Sequence, residues 1–212
     1  MGNAILIYGK SGSGKSRSLL NFEEDEIFLV KAIDKELPFR KKFKYVYISD
    51  DVDAIINGLE KMPTKTAVID DLTYVMTSKF MSGHTAKKGS AQFDLYNDIA
   101  DSIWKLILAI KKLPGNVNVY LIMHEETSDY GDTKVRTIGR LLDQKVCIEG
   151  MVTIALRCVT KNKQHCFLTH TDGSDITKSP EDMFQEDEIP NDLKAVDTTI
   201  REYYGTTITK GN

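Results

Sequence analysis

The residues with the clearest chemistry lie near the amino terminus, in the run Gly9-Lys10-Ser11-Gly12-Ser13-Gly14-Lys15-Ser16. This run fits the spacing G-x-x-x-x-G-K-[ST] without a gap. Glycines at these positions let backbone N–H groups turn inward around a phosphate, and a following helix adds the positive end of its dipole. The run therefore predicts a loop that binds ATP, with the Lys15 ammonium on the β- and γ-phosphates and the Ser16 hydroxyl on Mg²⁺.

A nucleotide-bound metal ion also needs a carboxylate. Asp70 and Asp71 follow the apolar run 66–69, which is typical of a buried parallel strand. We expect Asp70 to hold Mg²⁺ through water and Asp71 to polarise the attacking water. Capping of the next helix is the alternative for this pair. Asp50 and Glu125 compete for the same roles, because both follow strands predicted to end at the same edge of the sheet.

His124 follows the next predicted strand, 117–123. In a parallel sheet with this loop, a side chain at that position lies near the γ-phosphate. A polar group there can report hydrolysis to the segment that follows it. A histidine that only makes local hydrogen bonds at the end of a strand is the alternative.

Strands alternate with helices along the chain, which favours an α/β fold with a mostly parallel sheet. Further strands are predicted at 4–8, 27–30 and 45–48, and a hairpin at 151–159 and 165–170. Helices are predicted from Lys15, from Asp50 or Asp51 to about 59, and at 96–113, 138–149 and 192–204. The segments 77–90 and 127–137 are polar and lack periodicity, so we predict two long loops there.

Length and charge limit the class of protein. The chain has 212 residues, 41% of them hydrophobic, and a formal net charge of −3, which excludes a globally basic protein that coats DNA. Residues 171–212 hold ten acidic and four basic side chains, so the preceding body is slightly basic. We therefore expect a core at 1–170 and an acidic segment at 171–212 that packs on it or extends from it.

The chain contains no run of 18 apolar residues and no pattern of a signal peptide, so we expect a cytoplasmic protein that does not contact membranes. The cysteines are Cys147, Cys158 and Cys166, an odd number without a C-x-x-C spacing. Buried thiols in a reducing cytosol explain them, and a metal site at His165 and Cys166 is the alternative.

Taken together, the sequence resembles the phage-encoded RecA-like ATP-binding proteins, a group that includes the Sak-type single-strand annealing recombinases. The resemblance covers nearly the whole chain. It rests on the phosphate-binding run and on the segments 37–40 (Leu-Pro-Phe-Arg), 68–71 (Val-Ile-Asp-Asp), 120–126 (ending His-Glu-Glu), 137–143 (Thr-Ile-Gly-Arg-Leu-Leu-Asp) and 178–180 (Lys-Ser-Pro). It implies a P-loop NTPase with a RecA-like, mostly parallel sheet flanked by helices, a C-terminal β-hairpin and a short helical tail.

The resemblance also implies partners. The segments 77–90 and 127–137 would face single-stranded DNA, through Lys79, Lys87 and Lys88 in the first and Lys134 and Arg136 in the second. Phe80, Tyr74 and Tyr130 are possible stacking groups, and ordinary solvated loops are the alternative. A homo-oligomer is implied, with nucleotide at the subunit interface and Lys178, or else Arg140 or Lys145, acting on the neighbour's nucleotide. A phage single-strand-binding protein is a further possible partner, in the cytoplasm of the bacterial host.

These observations predict an ATPase of phage recombination or replication that binds single-stranded DNA with ATP and Mg²⁺ and promotes strand annealing. We expect slow hydrolysis that DNA stimulates, because no glutamate is clearly placed as general base. A helicase-loader-like ATPase, a small-molecule P-loop kinase and a nucleotide sensor without hydrolysis remain alternatives.

Overall fold

Strand Asn3–Gly9 (β1) lies in the middle of a nine-stranded sheet in the computed structural model, which describes residues 1–85 and 91–207. The other strands are Ile27–Lys31 (β2), Tyr45–Ile48 (β3), Thr66–Asp70 (β4), Asn118–Thr127 (β5), Thr133–Val135 (β6), Ile154–Lys161 (β7), Gln164–Leu168 (β8) and Glu188–Pro190 (β9). Their spatial order is β3-β2-β4-β5-β1-β7-β8-β9, and β6 pairs with the end of β5.

The strands from β3 to β7 in this order run parallel, whereas β6, β8 and β9 pair antiparallel with their neighbours. Helices Val52–Lys61 (α1), Leu72–Gly83 (α2) and Ala91–Lys112 (α3) follow β3, β4 and α2. A short helix, Arg140–Asp143 (α4), and Leu193–Tyr203 (α5) come later. Two 3-10 helices lie at Ser16–Asn21 and Glu149–Met151. The expected α/β class with a mostly parallel sheet is therefore confirmed.

Both faces of the sheet are buried, which explains why its central strands are continuous apolar runs. In β1, Leu6 and Tyr8 point to the core beneath α1, α2 and α3. Ile5 and Ile7 point to a second core that Leu19 and α5 cover. Parallel strands packed in this way bring their carboxyl ends to one edge, where Gly9, Asp70 and His124 meet.

Most predicted elements are present. The hairpin β7–β8 turns through Asn162 and Lys163, which both have positive φ, as a two-residue hairpin turn requires. Asp51 is the N-cap of α1, and its carboxylate accepts a 2.7 Å hydrogen bond from the Ala54 N–H. Asp192 caps α5 in the same way, by accepting from the backbone of Lys194 and Ala195. The helix predicted from Lys15 is present as the 3-10 helix.

Three predictions were wrong. The segment 77–83 is the second half of α2, because Phe80 packs against Tyr96 of α3 with ring centroids 5.5 Å apart. Residues 133–135 are not loop but strand β6, which pairs with 125–127. The helix predicted at 138–149 is limited to α4, which begins only after Gly139, whose φ of +124° is not helical, and ends at Asp143. Lys87 and Lys88, in the rest of the first predicted loop, lie outside the described residues.

The carboxyl-terminal segment packs on the sheet through β9 and α5, and a buried ion pair joins α5 to the amino ends of the strands. The Asp197 carboxylate accepts hydrogen bonds from Asn118 Nδ2 (2.8 Å), Tyr120 OH (2.8 Å) and Arg201 Nε (2.7 Å). Arg201 also donates to the Lys65 carbonyl at 2.9 Å. Among the described helices, none is long and apolar enough for a membrane crossing.

Candidate nucleotide site

The loop between β1 and the first 3-10 helix buries the side chain of Lys15 against its own backbone. Lys15 is 7% exposed, and its Nζ donates to the carbonyls of Gly9 and Lys10, each at 2.8 Å. Burial lowers the pKa of Lys15, and the nearby carboxylate of Asp71 acts against this shift. The ammonium is therefore held against the backbone of its own loop by two carbonyl groups.

Two glycines of this loop have a clear structural reason. A Cβ at Gly9 would lie 2.3 Å from the carbonyl oxygen of Cys158 on β7. Gly14 has a φ of +100°, and a Cβ there would lie 2.6 Å from Cγ of His165 on β8. The loop is thus pressed against the β7–β8 hairpin, which excludes larger side chains at both positions.

Ser16 and Asp70 form the centre expected for Mg²⁺. The Ser16 hydroxyl donates to the two Asp70 carboxylate oxygens, at 3.0 and 3.1 Å. Asp70 is 3% exposed, and burial raises its pKa against the opposing effects of Lys35 and Ser16. A hydroxyl beside a carboxylate supplies the hard oxygen ligands that Mg²⁺ takes, together with phosphate oxygens and water. The residues present therefore fit this ion.

Asp71 is held by two neighbours at the same edge. Its Oδ2 accepts from Lys35 Nζ at 3.1 Å and lies 3.2 Å from His124 Nε2. Burial favours the neutral acid, but the hydrogen bonds and charges of His124 and Lys35 outweigh it and lower the pKa of Asp71. Its Oδ1 is buried and has no hydrogen-bond partner among the described residues. Asp71 makes no side-chain cap on α2, so the capping alternative does not apply to it.

A cavity of about 310 Å³ brings the predicted residues together. Its lining includes Gly12, Gly14, Lys15, Ser16, Asp70, Asp71 and His124, and also Lys35, Glu36 and His165. Sequence reasoning misses Lys35 and Glu36 as site residues. The signal that could have found them is their place just after strand β2, whose carboxyl end lies beside that of β4.

The competing carboxylates lie elsewhere. Glu125 forms a bidentate pair with Arg157, with Nε and Nη2 at 2.9 and 3.0 Å from its oxygens. Its side chain is only 2% exposed, and Arg157 also contacts Asp175 at 3.2 Å. Asp50 is exposed before α1 and does not line the cavity. Glu125 therefore has a strong structural partner, whereas Asp50 has no contact with this site.

Two of the basic residues predicted to bind DNA have partners within the chain. Lys79 donates to the Asp98 carbonyl and to Ser102 Oγ of α3. Lys134 contacts Glu126 at 3.3 Å and also pairs with Asp143.

Arg136 is exposed and has no ion-pair partner among the described residues. Lys178 is half-buried and pairs through its backbone with Ala155 of β7. It does not line the nucleotide cavity.

A second opening of about 790 Å³, here called the adjoining groove, continues from the nucleotide cavity. The two share Ser11, Lys35, Asp71 and His124. The groove is further lined by the aromatic residues Tyr74 and Phe80, by the cations Lys10 and Arg136, and by the acidic residues Glu125 and Glu126. A surface of mixed charge that carries two aromatic rings therefore starts at the acidic end of the nucleotide cavity.

The loop geometry, the Ser16–Asp70 pair and the sheet define a P-loop NTPase. Residues 1–184 match the family model described as an AAA domain, and the chain belongs to that family. None of the curated proteins compared with the chain matches it. Among solved structures, an ATPase from the type III secretion system of pathogenic bacteria is similar, with 13% identity and a TM-score of 0.43. The match covers 77% of this chain and 52% of the secretion ATPase, so this chain spans about half the length of that ATPase.

Proposed function

We propose that this protein hydrolyses ATP with Mg²⁺, binds single-stranded DNA in an ATP-dependent way and promotes strand annealing. The observation that carries this proposal is the continuity of the nucleotide cavity with the adjoining groove. The lining of that groove combines Arg136 with the aromatic rings of Tyr74 and Phe80. Guanidinium and aromatic groups together suit a sequence-tolerant single strand, by phosphate contact and base stacking.

For hydrolysis, Glu36 is the best-placed general base. Asp71 is buried and shares its Oδ2 between Lys35 and His124, and Glu125 is occupied by Arg157. Glu36 lines the same cavity as Lys15 and is exposed, without an ion pair among the described residues. Its carboxylate would take the proton from water as the water oxygen attacks the γ-phosphorus and ADP leaves. Mg²⁺, when held by Ser16 and Asp70, supplies positive charge on the phosphates.

Coupling between the two openings would pass through His124, which lines both. Its imidazole contacts Asp71 on the nucleotide side and lies edge-on to Tyr74, with ring centroids 6.0 Å apart. Its carbonyl accepts a 2.8 Å hydrogen bond from the Arg136 N–H. A change at the γ-phosphate would thus be felt at a groove residue within two contacts.

The finer features of this proposal are supported by the sequence resemblance. These are a phage origin, a place in recombination in the cytoplasm of a bacterial host, and cooperation with a single-strand-binding protein. The resemblance also supports a homo-oligomer that binds nucleotide between its subunits. In that assembly Lys178, Arg140 or Lys145 would act on the neighbour's nucleotide.

The test of DNA coupling is the ATPase rate with and without single-stranded DNA, measured together with particle size. We expect DNA to raise the rate, and Arg136→Ala to reduce this increase, because Arg136 is an exposed cation of the groove without an ion-pair partner among the described residues. The control is Lys42→Ala, which removes an exposed charge that does not line the groove. Robust turnover without any DNA response would contradict the proposal. Phosphorylated nucleoside monophosphates would favour the kinase alternative, and co-purification with a helicase would favour the loader.

The test of the general base is Glu36→Gln. We expect kcat to fall by about 10²–10⁴-fold, the usual contribution of a general base. The dissociation constant for Mg·ATP, measured by calorimetry, should stay nearly constant because the loop and the Ser16–Asp70 pair are intact. Glu60→Gln, an exposed change on α1, serves as the matched control. An unchanged kcat in Glu36→Gln would assign the base to another residue.

A further inference from the structure

A third cavity, of about 940 Å³, adjoins the nucleotide cavity on the side of the β7–β8 hairpin. It shares Arg17 and His165 with the nucleotide cavity, and none of Asp70, Asp71 and His124 lines it. The remaining lining comes from the first 3-10 helix, from the hairpin turn at 161–164 and from residues 188–192. The hairpin and residues 188–190 belong to strands of the sheet, so this side of the cavity is anchored.

The His165 ring is held in place where the two cavities meet. Its Nδ1 lies 2.9 Å from Thr160 Oγ1, across the hairpin. The same edge of the ring packs on Gly14, where a Cβ would be 2.6 Å from Cγ and 3.0 Å from Nδ1. A flat aromatic ring of fixed orientation therefore stands at the edge of the phosphate-binding loop.

The two ends of the nucleotide cavity differ in charge, and this sets the direction of a bound triphosphate. Ser16 and Asp70 would hold the metal ion, whose positive charge would favour the terminal phosphates at their end of the cavity. Asp71, His124 and the adjoining groove lie at that γ-phosphate end. The α-phosphate and whatever is attached to it must then leave the loop at the other end. That end is bordered by Arg17 and His165.

We infer that the third cavity binds the nucleoside of the triphosphate, with its base stacked on the imidazole of His165 and with Arg17 beside the sugar and α-phosphate. This inference rests on the proposed function. The turn presents amide groups at Asn162 and Gln164, which can pair with base edges or ribose hydroxyls. Lys161 is excluded from this role because it pairs with Glu188. His165 and Arg17 are thus the residues that decide how much the nucleoside adds to binding.

The test compares Mg·ATP with Mg·tripolyphosphate by calorimetry on the full chain. A base stacked on an aromatic ring contributes enough that His165→Ala should weaken ATP binding by about fivefold or more. The affinity for tripolyphosphate should not change, because it has no base. His165→Phe keeps an aromatic face and should restore part of the ATP affinity. His170→Ala, an exposed histidine outside the cavity, should behave as wild type.

Two results would overturn the inference while leaving the phosphate site intact. One is an unchanged ATP affinity in His165→Ala. The other is an equal loss for ATP and tripolyphosphate, which would show that His165 acts only through Gly14 and the loop. A wild-type protein that binds neither ATP nor tripolyphosphate would instead overturn the proposed ATPase function together with this subsite.

Discussion

Asp71 is a residue whose backbone and side chain both serve the acidic end of the nucleotide cavity. Its φ of +75° is left-handed, which costs a residue other than glycine about 1–3 kcal/mol. Lys35 and His124 hold the carboxylate on the cavity side, so the side chain does not turn to cap α2. The strained turn after β4 therefore orients an acid toward the nucleotide.

The three cysteines differ in exposure, which predicts a selective alkylation pattern. Burial raises the pKa of Cys158 and of Cys166 to about 11 each, so both are neutral thiols near pH 7.5. Cys147 is exposed. We expect iodoacetamide at pH 7.5 to modify Cys147 first in the folded protein and all three in urea, as read by peptide mass spectrometry. Equal modification of Cys158 in the folded protein would contradict the buried position beneath the loop.

At the scale of elements, the start of α1 offers a test with an adjacent control. Asp51→Ala removes the carboxylate that accepts from the Ala54 N–H. The free energy of unfolding should fall by about 1 kcal/mol, which is typical of a lost N-cap. Asp50→Ala changes a neighbouring exposed acid that does not cap the helix and should leave stability nearly constant. Urea unfolding measures the free energy of unfolding of both variants. Equal losses would show that the removed negative charge, and not the lost cap, causes the effect.

The elements that the sequence predicts well are those with strong local signals. The parallel strands are buried on both faces, so each reads as an apolar run. The second half of α2 contains Thr77, Ser82 and Gly83, which have low helix propensity, and packing of Phe80 on α3 stabilises it. Strand β6 has three residues and exists because β5 offers it a partner.

The residues of the candidate site also fall into two groups: those that a local sequence signal predicts and those that only the tertiary structure brings together. The phosphate-binding run and Asp70 carry local signals, a fixed spacing and a strand end, and the sequence predicts them. Lys35 and Glu36 come from a segment without periodicity and His165 from a predicted hairpin strand, and only the order of strands in the sheet brings them to the loop. The pairing of Glu125 with Arg157 likewise depends on tertiary structure, across 32 positions of the chain.

At the scale of the whole molecule, the Asp197–Arg201 pair joins the last helix to the sheet. Asp197→Ala would leave the Arg201 guanidinium, which is 4% exposed, without its carboxylate. Loss of one partner of a buried ion pair typically costs about 3–5 kcal/mol. We expect a loss of this size in chemical unfolding, whereas Glu202→Gln, an exposed change on the same helix, should have little effect. A loss below about 1 kcal/mol would show that the pair adds little to the net stability.

The central position of β1 also determines the order in which the protein can mature during synthesis. β1 is synthesised before both of its neighbours in the sheet, β5 and β7, as the register of Leu6 with Leu121 and with Ala155 shows. Until both neighbours have emerged, the strand that carries the loop lacks its partners and contributes unpaired backbone to a partly made chain. We therefore expect stable nucleotide binding only after the chain has been made through β7, and this binding would add stability to the folded sheet.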